Sequence, residues 1–201
     1  KEEANGSALP CVDEDEGVKT VKEAVQGALD IIAEVISDNA EYRTAIRGLT
    51  FNLGKLTSTA KKPDVKTVYD NYYAYEEELT KIAGHRVLAV NRGESEKVLT
   101  VKIAAPSELI CDYLSRHVIT RGNPNTSPLL TLALTDSYVR LIAPSIETEI
   151  RNMLTEKAEE GAIAVFGKNL EQLLMQPPIV GKVVLGWDPA FRTGCKLAVV
   201  D

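Results

Sequence analysis

The sequence predicts an α+β protein that is mainly α-helical: a helical scaffold with one central β-hairpin, a long C-terminal helix and a second hairpin at the chain's end. Three observations predict it. Apolar residues recur at three- and four-residue spacing over most of 17–49 and 107–175, the period of helices with one buried face. Two β-type runs at 86–103 flank a segment containing Gly93, the pattern of strand, turn and strand. The last nineteen residues, V-V-L-G-W-D-P-A-F-R-T-G-C-K-L-A-V-V-D, place an apolar strand before Asp188, a Pro-containing turn and then a second apolar strand.

Taken in order, residues 1–16 carry six acidic groups against one Lys and no periodicity, and read as a flexible acidic segment. From Gly17 the apolar positions Val21, Ala28, Ile32 and Ile36 mark an amphipathic helix, and the acidic run before it suits the positive end of the helix dipole. Asp38-Asn39 reads as a stop and restart, followed by a helix near Ala40–Leu49 and a loop over 53–66. The stretch 68–79 holds four of the seven tyrosines: Tyr69, Tyr72, Tyr73 and Tyr75. Such a stripe either stacks bases or packs half-buried with its hydroxyls toward water, the commoner case.

The central hairpin pairs Arg86–Val90 with Val98–Ile103 across a turn that exposes Arg92 and Glu94. After Pro106 a helix over 107–119 has Ser107 near its cap, and T-R-G-N-P-N-T at 120–126 is a loop by composition. The helix over 128–143 halts at Pro144, which suits the first turn of the next. That next helix runs from Ser145 to about Met175, and Pro177-Pro178 closes it. A domain boundary is expected there, giving 1–16, a helical region over 17–178 and a tether plus hairpin over 179–201.

Composition limits the functional classes. The apolar fraction of 44% and charged fraction of 26% are those of a globular chain. The net charge of −6 opposes strong nonspecific nucleic-acid binding, which needs clustered Lys and Arg. Cys11, Cys111 and Cys195 lie too far apart for a zinc motif and suggest reduced thiols in a cytoplasmic setting. No stretch reads as a membrane span. His85 and His117 are isolated, and no phosphate-binding Gly-rich motif occurs. No cofactor and no metal are expected.

Four blocks in order carry a family resemblance: H-R-V-L-A-V-N-R-G-E at 85–94, D-S-Y-V-R-L-I-A-P-S-I-E-T-E-I-R at 136–151, N-L-E-Q-L-L-M-Q-P-P at 169–178 and G-W-D-P-A-F-R-T-G-C-K-L-A-V-V-D at 186–201. Together they resemble Tex, the bacterial transcription accessory proteins. The resemblance implies the late N-terminal and central helical part of a longer molecule, plus the first hairpin of a YqgF, RNase H-like domain. It also implies that nucleic acid is held mainly by modules outside this chain, and it makes RNA polymerase or other transcription machinery a partner, with no membrane.

Asp188 falls where RNase H-like nucleases hold a metal. Those enzymes need several carboxylates around two ions, so Asp188 is an incomplete or vestigial catalytic candidate and the chain is not expected to be an enzyme by itself. Otherwise Asp188 is a turn residue before Pro189. Arg192 and Lys196 are candidates for phosphate contact across the hairpin, and Ala190 stands where the YqgF pattern commonly has Gly. The implied function is the scaffold part of a nucleic-acid-binding transcription accessory protein. Two rivals stay open: the start of a metal-dependent nuclease or resolvase, and a protein-interaction module docking to the transcription machinery.

Overall fold

The computed structural model describes residues 19–177, 180–190, 192 and 194–201; the acidic segment 1–16 lies outside them. Two compact units divide at Ala162/Ile163. In the first, helix α1 (Val21–Asp38) opens with a capping box in which Thr20 accepts from the Glu23 N–H and Glu23 accepts from the Thr20 N–H. Asn39 ends α1 and caps α2 (Ala40–Leu53), its side-chain oxygen accepting from the N–H groups of Glu41 and Tyr42. One Asn thus serves both helix ends.

A three-stranded antiparallel sheet follows, ordered β2-β1-β3, from β1 (Lys55–Ala60), β2 (Ala74–Glu78) and β3 (Leu99–Ala104). Strand β1 is central, pairing Leu56 with Glu77 on one side and with Ile103 on the other. The sequence suggests a loop here, because K-L-T-S-T-A has one large apolar residue. Its β-branched threonines and the hydrogen bonds of two neighbours make it a strand.

The mainly helical α+β class holds, but the central hairpin does not. Arg86–Val90 lies inside helix α3 (Gly84–Ser95), and β3 pairs with β1 instead. Val87, Val90 and Gly93 share the buried side of α3, a three-residue spacing that belongs to a helix. Gly93 is needed for space. A Cβ there would lie 2.6 Å from Leu99 Cδ1 and 3.2 Å from Tyr69 Cδ1.

Helix α3 ends in a Schellman motif: Val98 N–H donates to Gly93 C=O and Lys97 N–H to Glu94 C=O. The residue that must turn left-handed is Lys97, at φ 60°, the one non-glycine among the described residues with positive φ. A Cβ in that region costs energy that glycine avoids. Lys97→Gly should therefore raise unfolding free energy by about 0.5–1 kcal/mol, seen as a higher melting temperature.

Beyond β3, helix α4 (Ser107–Val118) buries Ile110 and Leu114 and begins without a side-chain cap; the Ser107 hydroxyl lies 3.4 Å from the Ala105 carbonyl instead. Then α5 (Ser127–Asp136), a π-helical segment (Ser137–Ile142) and α6 (Ala143–Leu174) form one helix of 48 residues. Pro144 does not halt it. A proline has no N–H and its ring strikes the carbonyl four residues back in a regular α-helix. The wider π-turn, in which Ala143 N–H donates to Tyr138 C=O, opens the helix just where that collision would fall.

One 18-residue window of this helix reaches a mean hydropathy of 1.2, enough by length and composition for a membrane span. Leu134, Tyr138, Ile142, Ile146, Ile150 and Leu154 are buried in the first unit's core, however, which accounts for their apolarity. Ser137, fully buried, donates its hydroxyl to the Ala33 carbonyl at 2.7 Å and joins the π-segment to α1.

The second unit begins within α6. Beyond residue 158 that helix has no buried residue, and Ile163, Phe166, Leu170, Leu173 and Leu174 are exposed. The expected C-terminal hairpin is present: β4 (Val184–Asp188) pairs antiparallel with β5 (Lys196–Val200). Val183, Leu185, Trp187, Leu197, Val199 and Val200 are exposed on it.

Candidate functional site

In the C-terminal hairpin, Asp188 and Lys196 are partners across the β4–β5 ladder, an opposite-charge arrangement that suits the register. Arg192 sits in the connecting turn, and all three side chains are exposed. Ala190 has no positive φ; among the described residues Gly194 provides the left-handed position of this turn at φ 80°. No group of three or more His, Cys, Asp or Glu side chains capable of holding a metal occurs among the described residues. Asp188 is the last residue of β4, with Lys196 the first of β5 across from it.

The densest polar chemistry lies on α3. Toward α6, Arg151 donates to Glu94 at 2.5 and 3.2 Å and to Asn91 at 3.1 Å. Asn91 donates to the Thr155 hydroxyl at 2.8 Å, which in turn donates to the Arg151 carbonyl. Hydrogen bonds from Arg151 hold the Glu94 carboxyl below the usual range. This seam borders a hollow of about 310 Å³ lined by Asn91, Glu94, Thr148, Arg151, Asn152 and Thr155. It contains no nucleophile with an adjacent base.

Toward the sheet, Arg86 donates to Glu77 at 2.7 Å, and the Tyr75 hydroxyl donates to the same carboxylate. Burial, reinforced by Glu77, pushes the Tyr75 hydroxyl up to about 12. The Tyr75 hydrogen bond, with Arg86 adding to it, holds Glu77 low. On the outer face Arg92 donates to Glu96 at 3.0 Å beside the buried Tyr69, whose hydroxyl is raised by burial and then by Glu96. Val68, Tyr69, His85, Leu88, Ala89, Arg92 and Glu96 line an open hollow of about 550 Å³.

These contacts revise the Arg92-Gly93-Glu94 turn. Arg92 is exposed and paired, Gly93 is buried, and Glu94 is tied to α6. Within the tyrosine stripe, Tyr69 is buried, and Tyr72, Tyr73 and Tyr75 pack against the core at its edge. His117 packs 4.3 Å from the Tyr113 ring, its Nδ1 lying 2.7 Å from the Tyr113 carbonyl, while His85 is elsewhere. Cys111 and Cys195 are free thiols. Nothing in the sequence points to the Arg151–Glu94 link, whose partners lie 57 residues apart.

The fold is thus a helical scaffold around a small sheet, with its polar chemistry spent on joining elements. Residues 1–166 match the family model described as Tex central region-like. The protein YdcI of Bacillus subtilis is 50% identical over 94% of this chain and 27% of its own length. The human S1 RNA-binding domain-containing protein 1 is 34% identical over 92% of the chain and 20% of its own. The Transcriptional accessory protein Tex of Neisseria gonorrhoeae is 29% identical over 92% of the chain and 26% of its own. The chain belongs to the Tex family, residues 1–166 forming its central region. It spans about a fifth to a quarter of the length of these relatives.

Proposed function

We propose that this chain is the scaffold part of a Tex-like transcription accessory protein that binds nucleic acid and supports transcription. One observation carries the reading: a match along nearly the whole chain to relatives whose names state transcriptional accessory and RNA-binding roles. The scaffold role draws on how α3 ties the sheet to α6 through Glu77–Arg86 and Glu94–Arg151. Nucleic acid would be held mainly by parts of the longer protein outside these 201 residues. The setting is read as cytoplasmic, and free Cys111 and Cys195 suit a reducing compartment.

The β4–β5 hairpin is read as the opening of a YqgF, RNase H-like domain, outside the residues the family model matches. Docking to the transcription machinery is a second reading. It draws on exposed Ile163, Phe166, Leu170 and Leu173, whose 3-4-3 spacing makes one apolar stripe.

A side-by-side titration tests the first reading: this chain and full-length Bacillus subtilis YdcI against single- and double-stranded DNA and RNA at two salt concentrations. The full-length relative is expected to bind in a salt-dependent manner and at least tenfold more tightly than the chain. Equal affinity would move recognition into these residues, and no binding by the full-length protein would remove the nucleic-acid role.

A further inference from the structure

We infer that one end of the three-stranded sheet is a built contact surface for the phosphodiester backbone of nucleic acid, formed by Lys61, Lys62, Lys66 and Lys97. This deepens the nucleic-acid reading above and rests on it. The chain is acidic overall, yet these four exposed lysines come from two segments that lie side by side. Lys61 and Lys62 leave the end of β1, Lys66 follows in the same loop, and Lys97 precedes β3. The Lys61 N–H donates to the Val98 carbonyl at 2.9 Å, which sets the two segments side by side.

Among the described residues none of the four lysines is in an ion pair. The nearby acids are largely engaged. Glu94 is bound by Arg151, Glu96 by Arg92, and Asp70 accepts from the Thr67 N–H at 2.6 Å. Asp64 is the remaining carboxylate of the loop, against four ammonium groups.

Two further features separate this surface from lysines scattered in solvent. The loop is fixed in advance: the Tyr73 hydroxyl donates to the Val65 carbonyl and lies 3.0 Å from the Thr67 hydroxyl, and the Tyr69 N–H donates to that same hydroxyl. A pre-ordered loop loses less entropy when it meets a polyanion. Lys97, moreover, occupies the left-handed cap position that glycine fills at lower cost. The backbone there gains nothing from a lysine, whereas a backbone phosphate would.

The test uses the 201-residue chain and a labelled single-stranded RNA of about 20 nucleotides, titrated at about 20 mM and about 150 mM salt. The variant Lys61→Glu/Lys62→Glu/Lys66→Glu/Lys97→Glu should lose at least tenfold in affinity at low salt, and its log–log salt slope should flatten by roughly 3. A charge-matched control, Lys19→Glu/Lys22→Glu/Lys157→Glu/Lys168→Glu, should lose less than about threefold, with both folds checked by thermal melts.

Equal losses in the two variants would overturn the assignment, as would unaltered binding by the first. Failure of the wild-type chain to bind at low salt would also overturn it. Full-length YdcI titrated in parallel keeps the outcomes apart: its binding sustains the family reading even where the lysine surface fails.

Discussion

Ile150→Ala is expected to destabilise the protein by about 3 kcal/mol. Ile150 is 1% exposed and lies on α6 within the core that also holds Ile146, Leu154, Ile46 and Leu99. Alanine is the best helix former, so the helix itself loses nothing and the whole cost is packing: lost transfer of the side chain plus the cavity left behind. Against a typical domain stability of about 5–15 kcal/mol this is a large share. Urea unfolding should show a lower midpoint at unchanged m-value. A loss under about 1 kcal/mol would mean that the core around α6 is loose.

Gly93→Val comes next, at about 3 kcal/mol, for the opposite reason of too much volume. The first added carbon already meets Leu99 Cδ1 at 2.6 Å, and two more methyls would follow. Leu99 is fully buried and Tyr69 is 6% exposed, so neither can swing into solvent to make room. Gly93→Ala should cost distinctly less, because the gain in helix propensity, about 1 kcal/mol, offsets part of the clash. The pair of variants separates the two roles a glycine can have here. A turn glycine would react to any Cβ through its φ, whereas Gly93 should respond in proportion to the volume added.

Gly93 also shows where the sequence was legible and where it misled. Asn91-Arg92-Gly93 between two Val-rich runs has the composition of a turn, and R-V-L-A-V has the composition of a strand. The helix is betrayed only by the spacing of Val87, Val90 and Gly93, and a glycine counts as buried only once Leu99 and Tyr69 are known to press on it. Helices α1 and α2 were readable because their signals are local: apolar residues at three- and four-residue spacing, and Asn39 between two apolar periods.

Strand β1 was not readable, since what makes it a strand is its pair of neighbours, and Leu56 and Ser58 are its only fully buried side chains. At the hairpin, the β4–β5 pairing followed from two apolar runs around a Pro- and Gly-containing turn, whereas the facing of Asp188 and Lys196 is set by a register that the runs alone do not specify. The Arg151–Glu94 link joins residues 57 positions apart, a distance over which one sequence carries no pairing signal. The lysine surface was hidden likewise, because Lys97 meets Lys61 only through the hydrogen bond to Val98.

The π-turn has a consequence for how this chain can vary in length. Leu134, Tyr138, Ile142, Ile146, Ile150, Leu154 and Ala158 are all buried, every fourth residue without exception. A regular α-helix advances about 100° per residue, so a strict four-residue beat slips by about 40° at each step. The wide turn over Ser137–Ile142 works as a vernier: its extra residue takes back part of that slip between the two halves of the beat. Losing one residue there would act less as a shortening of about 1.5 Å than as a dial turned by about 100°, swinging Ile146, Ile150 and Leu154 off the core together. Length is therefore locked along 137–142, while the loop at 120–126 is free to grow or shrink.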